Sequence, residues 1–300
     1  MAFAGPALVA AESILALTPI VIKKTPLDPL SAIWSRLISS AVLGYILTGD
    51  RSLKSSEWVG SAALGYTNLL HVATSYEAFR HLPAGQAMSL LYTYPLWNLV
   101  FNGFFNNEKI AGRDYLLVGA AAVGSILLNM DPGIAAPNNL GRTVNPSWGL
   151  LNGLFMAFTE SGMYTLLKGL GWRDPAKSVW VVKTSATAWL GAIVGAQHVI
   201  FNNVPEMKGS FDDLSLLTLF HSFTLFSGYW LRFFAVPRLS TVTYSILSYA
   251  GLLAAYIYGL FFLKETPGWM SILGAAIIVI SGLMIQMSST SRDKKSGAGP

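Results

Sequence analysis

The chain has no cysteine, and charge is scarce: Asp, Glu, Lys and Arg together make up 12% of its 300 residues. The first absence excludes disulfides, thiol catalysis and cysteine-ligated metal sites. The second leaves about half the charged share of an ordinary soluble domain. Apolar residues fill the space, at 53% of the chain. No Walker loop, H-E-x-x-H or G-x-S-x-G sequence occurs, and the four histidines do not cluster with carboxylates at metal-ligand spacing. The sequence thus predicts no metal and no cofactor, and argues against direct drive by ATP. The net charge of +5 does not point to nucleic acid, because the basic residues gather in short connections between apolar runs.

A spanning helix needs about 20 mainly apolar residues. Ten such windows lie near 3–22, 30–48, 57–79, 83–106, 114–130, 147–170, 178–200, 214–236, 239–263 and 267–287. The expected fold class is an all-α integral membrane protein with ten transmembrane helices. An outer-membrane barrel would show short alternating segments instead. The first window has no basic stretch before it and reads as a permanent helix, not a signal peptide. One set of connections and flanks carries Arg51, Lys54, Lys109, Arg113, Lys168, Arg173, Lys177, Arg232, Arg238, Arg292, Lys294 and Lys295. The other set has only Lys23, Lys24, Arg80, Arg142, Lys208 and Lys264. Positive residues favour the cytoplasm, so both termini are expected there. The sequence leaves open which membrane that is.

The two halves echo one another. Ala11-Glu12-Ser13, Asp28-Pro29 and Arg36 recur as Thr159-Glu160-Ser161, Asp174-Pro175 and Lys183. Ala78, Leu82, Leu90, Tyr92, Leu96, Phe104, Phe105 and Glu108 recur 157 residues later, as Ala235, Leu239, Leu247, Tyr249, Leu253, Phe261, Phe262 and Glu265. Five helices is an odd number, so a second copy must enter the bilayer in the opposite sense. The expected layout is two inverted five-helix repeats, 1–130 and 147–287, joined by a loop over 131–146 and followed by a polar, disordered tail over 288–300. Such repeats place a substrate near the midplane where the halves meet.

Ionisable groups in hydrocarbon cost roughly 2.5–3.5 kcal/mol each on insertion scales and by default mark a functional site. Glu12 should lie level with Arg36, and Glu160 with Lys183. The cations would then hold an anionic or zwitterionic substrate, while Glu12 or Glu160 binds a proton or the substrate's amine. Burial disfavours the charged form of such groups, which suits proton exchange. The competing reading is two structural ion pairs that pin neighbouring helices. Tyr94, Asn98, Asn102 and Asn106 follow one helix face at i,i+4 spacing. Amides do not belong on a lipid face, so cavity lining or interhelical hydrogen bonding must employ them. Tyr92, Tyr244, Ser248 and Tyr249 are further candidate wall residues. His71 and His221 read as satisfied bundle histidines or proton relays. Trp58, Trp148, Trp172 and Trp269 fall at expected helix ends and read as interfacial anchors.

The passages Pro29–Arg36, Ala78–Pro95 and Ala235–Glu265, with the helix-end acids of Asn107-Glu108 and Lys264-Glu265, resemble the drug/metabolite transporter superfamily in its ten-helix, EamA-type form. Thr159 to Lys168 is also similar to the first helix of small multidrug-resistance proteins. The resemblance covers roughly residues 5–287. It departs at Leu252, which stands where the fourth window has Pro95, and the ninth window lacks the adjacent Lys-Arg pair of plastid phosphate translocators. What it implies is a transporter, not an enzyme, with a small-molecule substrate and the lipid bilayer as partners. Alternating access and antiport or proton coupling would come with it. Amino acids or related compounds come first as substrates, and phosphorylated sugars or nucleotide sugars second. An integral membrane enzyme or a non-transporting receptor are the rival classes. Oligomeric state is not encoded.

Overall fold

The computed structural model describes residues 3–24, 27–82, 84–130, 145–202, 210–258, 261–262 and 268–295. Among the described residues the chain is helical, without strands. Four stretches, Ala4–Ile22, Pro29–Leu47, Pro175–Phe201 and Phe211–Arg238, are long and apolar enough to cross a membrane.

Each expected window holds one helix or an interrupted pair. The first holds α1 (Ala4–Leu15) and α2 (Thr18–Lys24), the next two α3 (Pro29–Leu47) and α4 (Trp58–His81). The fourth holds α5 (Ala84–Leu91) and α6 (Tyr94–Phe105), and the fifth α7 (Gly112–Asn129). Then follow α8 (Pro146–Leu170), α9 (Pro175–Phe201), the pair α10 (Phe211–Phe220) and α11 (Phe226–Ala235), the pair α12 (Thr241–Ser248) and α13 (Ala250–Tyr258), and α14 (Trp269–Lys295). α14 continues past 288 to Lys295. Glu265, Arg142, the joining loop over 131–144 and the last five residues lie outside the described residues.

The interruptions have local causes. A proline ring inside a helix clashes with the carbonyl four residues earlier and lacks the N–H for that turn. Pro19 therefore ends α1 at Leu15, and Pro95 ends α5 at Leu91. The later pair α12/α13, where Leu252 replaces that proline, breaks by a single residue, Tyr249. Between α10 and α11 the chain makes a π-helical turn over His221–Leu225, a feature that often accompanies functional sites. The repeated Asp-Pro pairs start helices. Asp28 Oδ1 accepts from the Ser31 N–H at 3.0 Å, with Pro29 in the first turn. Asp174 Oδ1 accepts from the Ala176 N–H at 2.9 Å, with Pro175 likewise placed.

The packing follows a rule. Exchanging the two halves of the chain maps its main helix contacts onto one another. The third helix of the first half, α4, packs on the first of the second, α8, and α1 packs in turn on α11. The pairs α3 with α9, α7 with α14 and α6 with α12 map onto themselves. Contact of α6 with α8 is matched by α1 with α13. Small residues permit the close approaches. A Cβ on Gly44 of α3 would stand 2.7 Å from the Trp180 backbone nitrogen of α9. One on Gly251 of α13 would stand 3.0 Å from the Glu12 carbonyl oxygen of α1.

Candidate functional site

Glu12 on α1 and Glu160 on α8 are 1% and 2% exposed, and one guanidinium joins them. Arg232 of α11 donates from Nε to Glu12 Oε1 at 2.8 Å, with Nη2 2.7 Å from the same oxygen. Its Nη1 donates to Glu160 Oε1. Glu160 Oε2 faces His71 Nε2 at 3.4 Å. On the far side of this group, Arg36 Nη2 donates to the Tyr229 hydroxyl at 2.6 Å. Lys183 Nζ lies 3.9 Å from the centre of the Tyr229 ring and donates to Asn68 Oδ1 at 3.1 Å. Tyr229 thus separates two cations, its ring face toward Lys183 and its hydroxyl toward Arg36.

A cavity with about 460 Å³ of empty space, adjoining solvent included, touches this centre. Glu12, Arg36, His71, Glu160 and Arg232 form its polar floor, and Leu15, Phe79, Met88, Leu91 and Met156 line it above. Thr18 and Pro19, just past the first break, also line it.

Along α8 from Glu160, two further layers of contacts follow. Tyr164 of α8 and Tyr244 of α12 pack with ring centres 4.1 Å apart, both buried. Beyond them Lys168 Nζ, at the end of α8, lies 2.8 Å from Glu108 Oε2 and donates to Thr241 Oγ1 at 2.7 Å. Glu108 accepts from the Thr241 N–H at 3.0 Å and from its hydroxyl. Partial burial pushes the Glu108 carboxyl up, but the Lys168 and Thr241 donors outweigh it and hold it below the usual carboxylate range. Nearby, Asp50 and Lys177 pair at 2.7 Å.

All ten candidate residues are buried, but they do not form one surface. Glu12, Arg36, Tyr92 and Glu160 line the cavity. Lys183 sits behind Tyr229. Tyr94 packs between Tyr92 and the Arg232 guanidinium. Asn98 is buried with neither side-chain polar atom bonded. Ser248 bonds back to the Tyr244 carbonyl of its own helix, and Tyr249 packs on Tyr92 with its hydroxyl toward the Val118 carbonyl. Two amides of the stripe bond across helices: Asn102 donates to Thr165 Oγ1 at 3.1 Å and Asn106 to the Thr165 carbonyl at 3.3 Å.

The expected pairings are corrected. Among the described residues the ion pairs are not Glu12 with Arg36 and Glu160 with Lys183; both carboxylates belong to Arg232. Arg232 itself was expected near a cytoplasmic flank, and it is 5% exposed. The repeat gives no warning of it, because the 157-residue offset sets Ser75 opposite Arg232 and Val72 opposite Tyr229. The centre is asymmetric where the scaffold is not. Asn68 is a further member that apolar patterning alone passes over, and His71, read above as a satisfied histidine or proton relay, joins the centre through Glu160. His221 bonds Ser35 at 3.0 Å. Of the tryptophans, Trp58, Trp148 and Trp269 are exposed at helix ends, but Trp172 is buried and donates to Glu57.

Apolar helices enclosing a charged centre define an integral, multi-pass membrane protein. Residues 4–130 match the model of the EamA-like transporter family, in agreement with the drug/metabolite transporter superfamily. A protein of solved crystal structure is similar over 97% of this chain and 97% of its own, with a TM-score of 0.71 and 17% identity. At that identity the likeness speaks for the fold alone. No curated protein matches the sequence.

Proposed function

We propose that the chain is a secondary transporter of ten spans in two inverted five-helix repeats, moving a small polar metabolite by alternating access. The observation that carries this reading is the Arg232 guanidinium bound to one carboxylate from each half, in the lining of a cavity. An enzyme would want its polar groups gathered near one surface, and a scaffold would have no use for them. The invariance of the packing under exchange of halves supports the inverted repeat. If the halves trade roles, the closed end formed by α6, α8 and α12 becomes the counterpart of the open end at α5 and α1/α2. The N-terminal end, by the distribution of Lys and Arg, faces the cytoplasm.

In this reading Glu12, Arg36, Tyr92 and Glu160 meet the substrate directly. Lys183, Tyr94, Asn98, Tyr244, Ser248 and Tyr249 shape the walls from behind. Glu12 and Glu160 are the groups through which a proton would couple, by competing with Arg232 for the same oxygens. Amino acids or related compounds are the first substrates to try, and phosphorylated or nucleotide sugars the second. The test is uptake of labelled amino acids into proteoliposomes with and without a pH gradient. Saturable uptake or exchange is expected, abolished in Glu160→Gln and strongly reduced in Lys183→Ala. Normal transport by both variants would contradict the charged-centre mechanism.

A further inference from the structure

The span that carries Tyr229 and Arg232 also has an outward face, which the site above does not use. Trp230, Phe234 and Arg238 follow one another at four-residue spacing along α11 and the short turn after it, each partly exposed. The Trp230 and Phe234 rings stack at 9° with centres 6.2 Å apart. The Arg238 guanidinium covers the Phe234 ring, its carbon 4.0 Å from the ring centre. An apolar slab of two rings therefore runs up to a cation at the end of a membrane span.

A second arginine shares that corner. Arg238 donates from Nη1 to the Phe234 carbonyl at 2.6 Å and from Nη2 to the Arg173 carbonyl at 3.1 Å. A guanidinium has five N–H groups, so most of its donors remain for a ligand. Arg173 is exposed. Among the described residues neither arginine forms an ion pair, because the carboxylates of this end are taken. Lys168 holds Glu108, and Lys177 holds Asp50. Asp174, next to Arg173 in the chain, accepts from the Ala176 N–H at 2.9 Å and from the Thr48 hydroxyl at 2.8 Å.

Tryptophan and arginine at a helix end anchor a span in any bilayer. Two arginines in one corner without a paired carboxylate go further, because they select by charge. A phosphate suits the N–H fork of a guanidinium, whereas a quaternary ammonium beside that phosphate would be repelled by the second arginine. We propose that this corner binds the phosphate of an anionic phospholipid, with an acyl chain lying along Phe234 and Trp230. Such a site requires only that the chain span a membrane, whatever it transports.

The experiment is native mass spectrometry of the purified full chain, titrated with phosphatidylglycerol, with phosphatidylcholine of the same acyl chains, and with inorganic phosphate. One phosphatidylglycerol should bind at least about tenfold more tightly than phosphatidylcholine, since each basic residue near an anionic lipid surface contributes about fivefold. Inorganic phosphate should not displace it. The double variant Arg173→Gln/Arg238→Gln should lose the preference, with each single change falling between. Trp230→Ala should weaken both lipids alike and keep the preference. Arg51→Gln/Lys54→Gln removes two charges from the α3–α4 connection, which the Asp50–Lys177 pair ties to the same end. That variant should keep the preference, which separates a site from the general attraction of a basic face. The parent chain's ranking of the two lipids stands whether or not any variant folds. Equal binding of the two lipids by the parent, a preference that survives loss of both arginines, one that falls equally with Arg51 and Lys54, or displacement by phosphate alone overturns the proposal.

Discussion

Arg232 holds two carboxylates that would otherwise face one another in the interior. Removing one partner of a buried ionic group costs about 3–5 kcal/mol, because the remaining charge is left uncompensated. Arg232→Leu should therefore lower the thermal unfolding midpoint sharply. Arg232→Lys, which keeps the charge but not the fork, should fall in between. A leucine variant as stable as the parent would show that the group is not ionised as described. Glu12, Glu160, Arg36 and Lys183 were legible in the sequence because an ionisable residue inside an apolar run stands out. Their partners were not. Arg232 lies four residues from the end of its window, 214–236, where a basic residue reads as a flank. Depth in the bilayer depends on where a helix starts, and apolar length alone does not set it.

The same split holds for the helices. The windows and both Asp-Pro helix starts follow from hydropathy and capping chemistry, and the two prolines account for the breaks in the first and fourth windows. What hydropathy could not supply is this cluster, because Glu108, Lys168 and Thr241 come from the α6–α7 connection, α8 and α12, distant in sequence. Glu108 and Lys168 are partly exposed, so their mutual coupling should be modest, about 0.5–1 kcal/mol in a double-mutant cycle of Glu108→Gln and Lys168→Gln. The Glu108 carboxyl is held below its ordinary 4.5 in the folded protein. Its stabilising contribution is therefore present above that value and lost as pH falls through the lower folded one. The cycle should thus register coupling at about pH 7 and lose it on strong acidification. Zero coupling at neutral pH, or coupling that persists in acid, would show that this contact does not hold the end closed.

At the scale of the molecule, the repeat legible in Glu12/Glu160 and Tyr92/Tyr249 has a counterpart in packing that survives exchange of the halves. The centre does not obey that exchange, since Ser75 and Val72 stand where Arg232 and Tyr229 would be repeated. In the proposed reading, repetition builds the frame and single departures from it supply the chemistry. The central claim is that one centre is reached from opposite ends in turn. The absence of native cysteine permits a direct measurement. Thr18→Cys reports the open end and Asn106→Cys the closed one, each probed in oriented proteoliposomes with a membrane-impermeant thiol reagent. The account predicts labelling from opposite faces, with a transported solute shifting the two rates in opposite directions. Labelling of both from one face, or rates that move together, would contradict it.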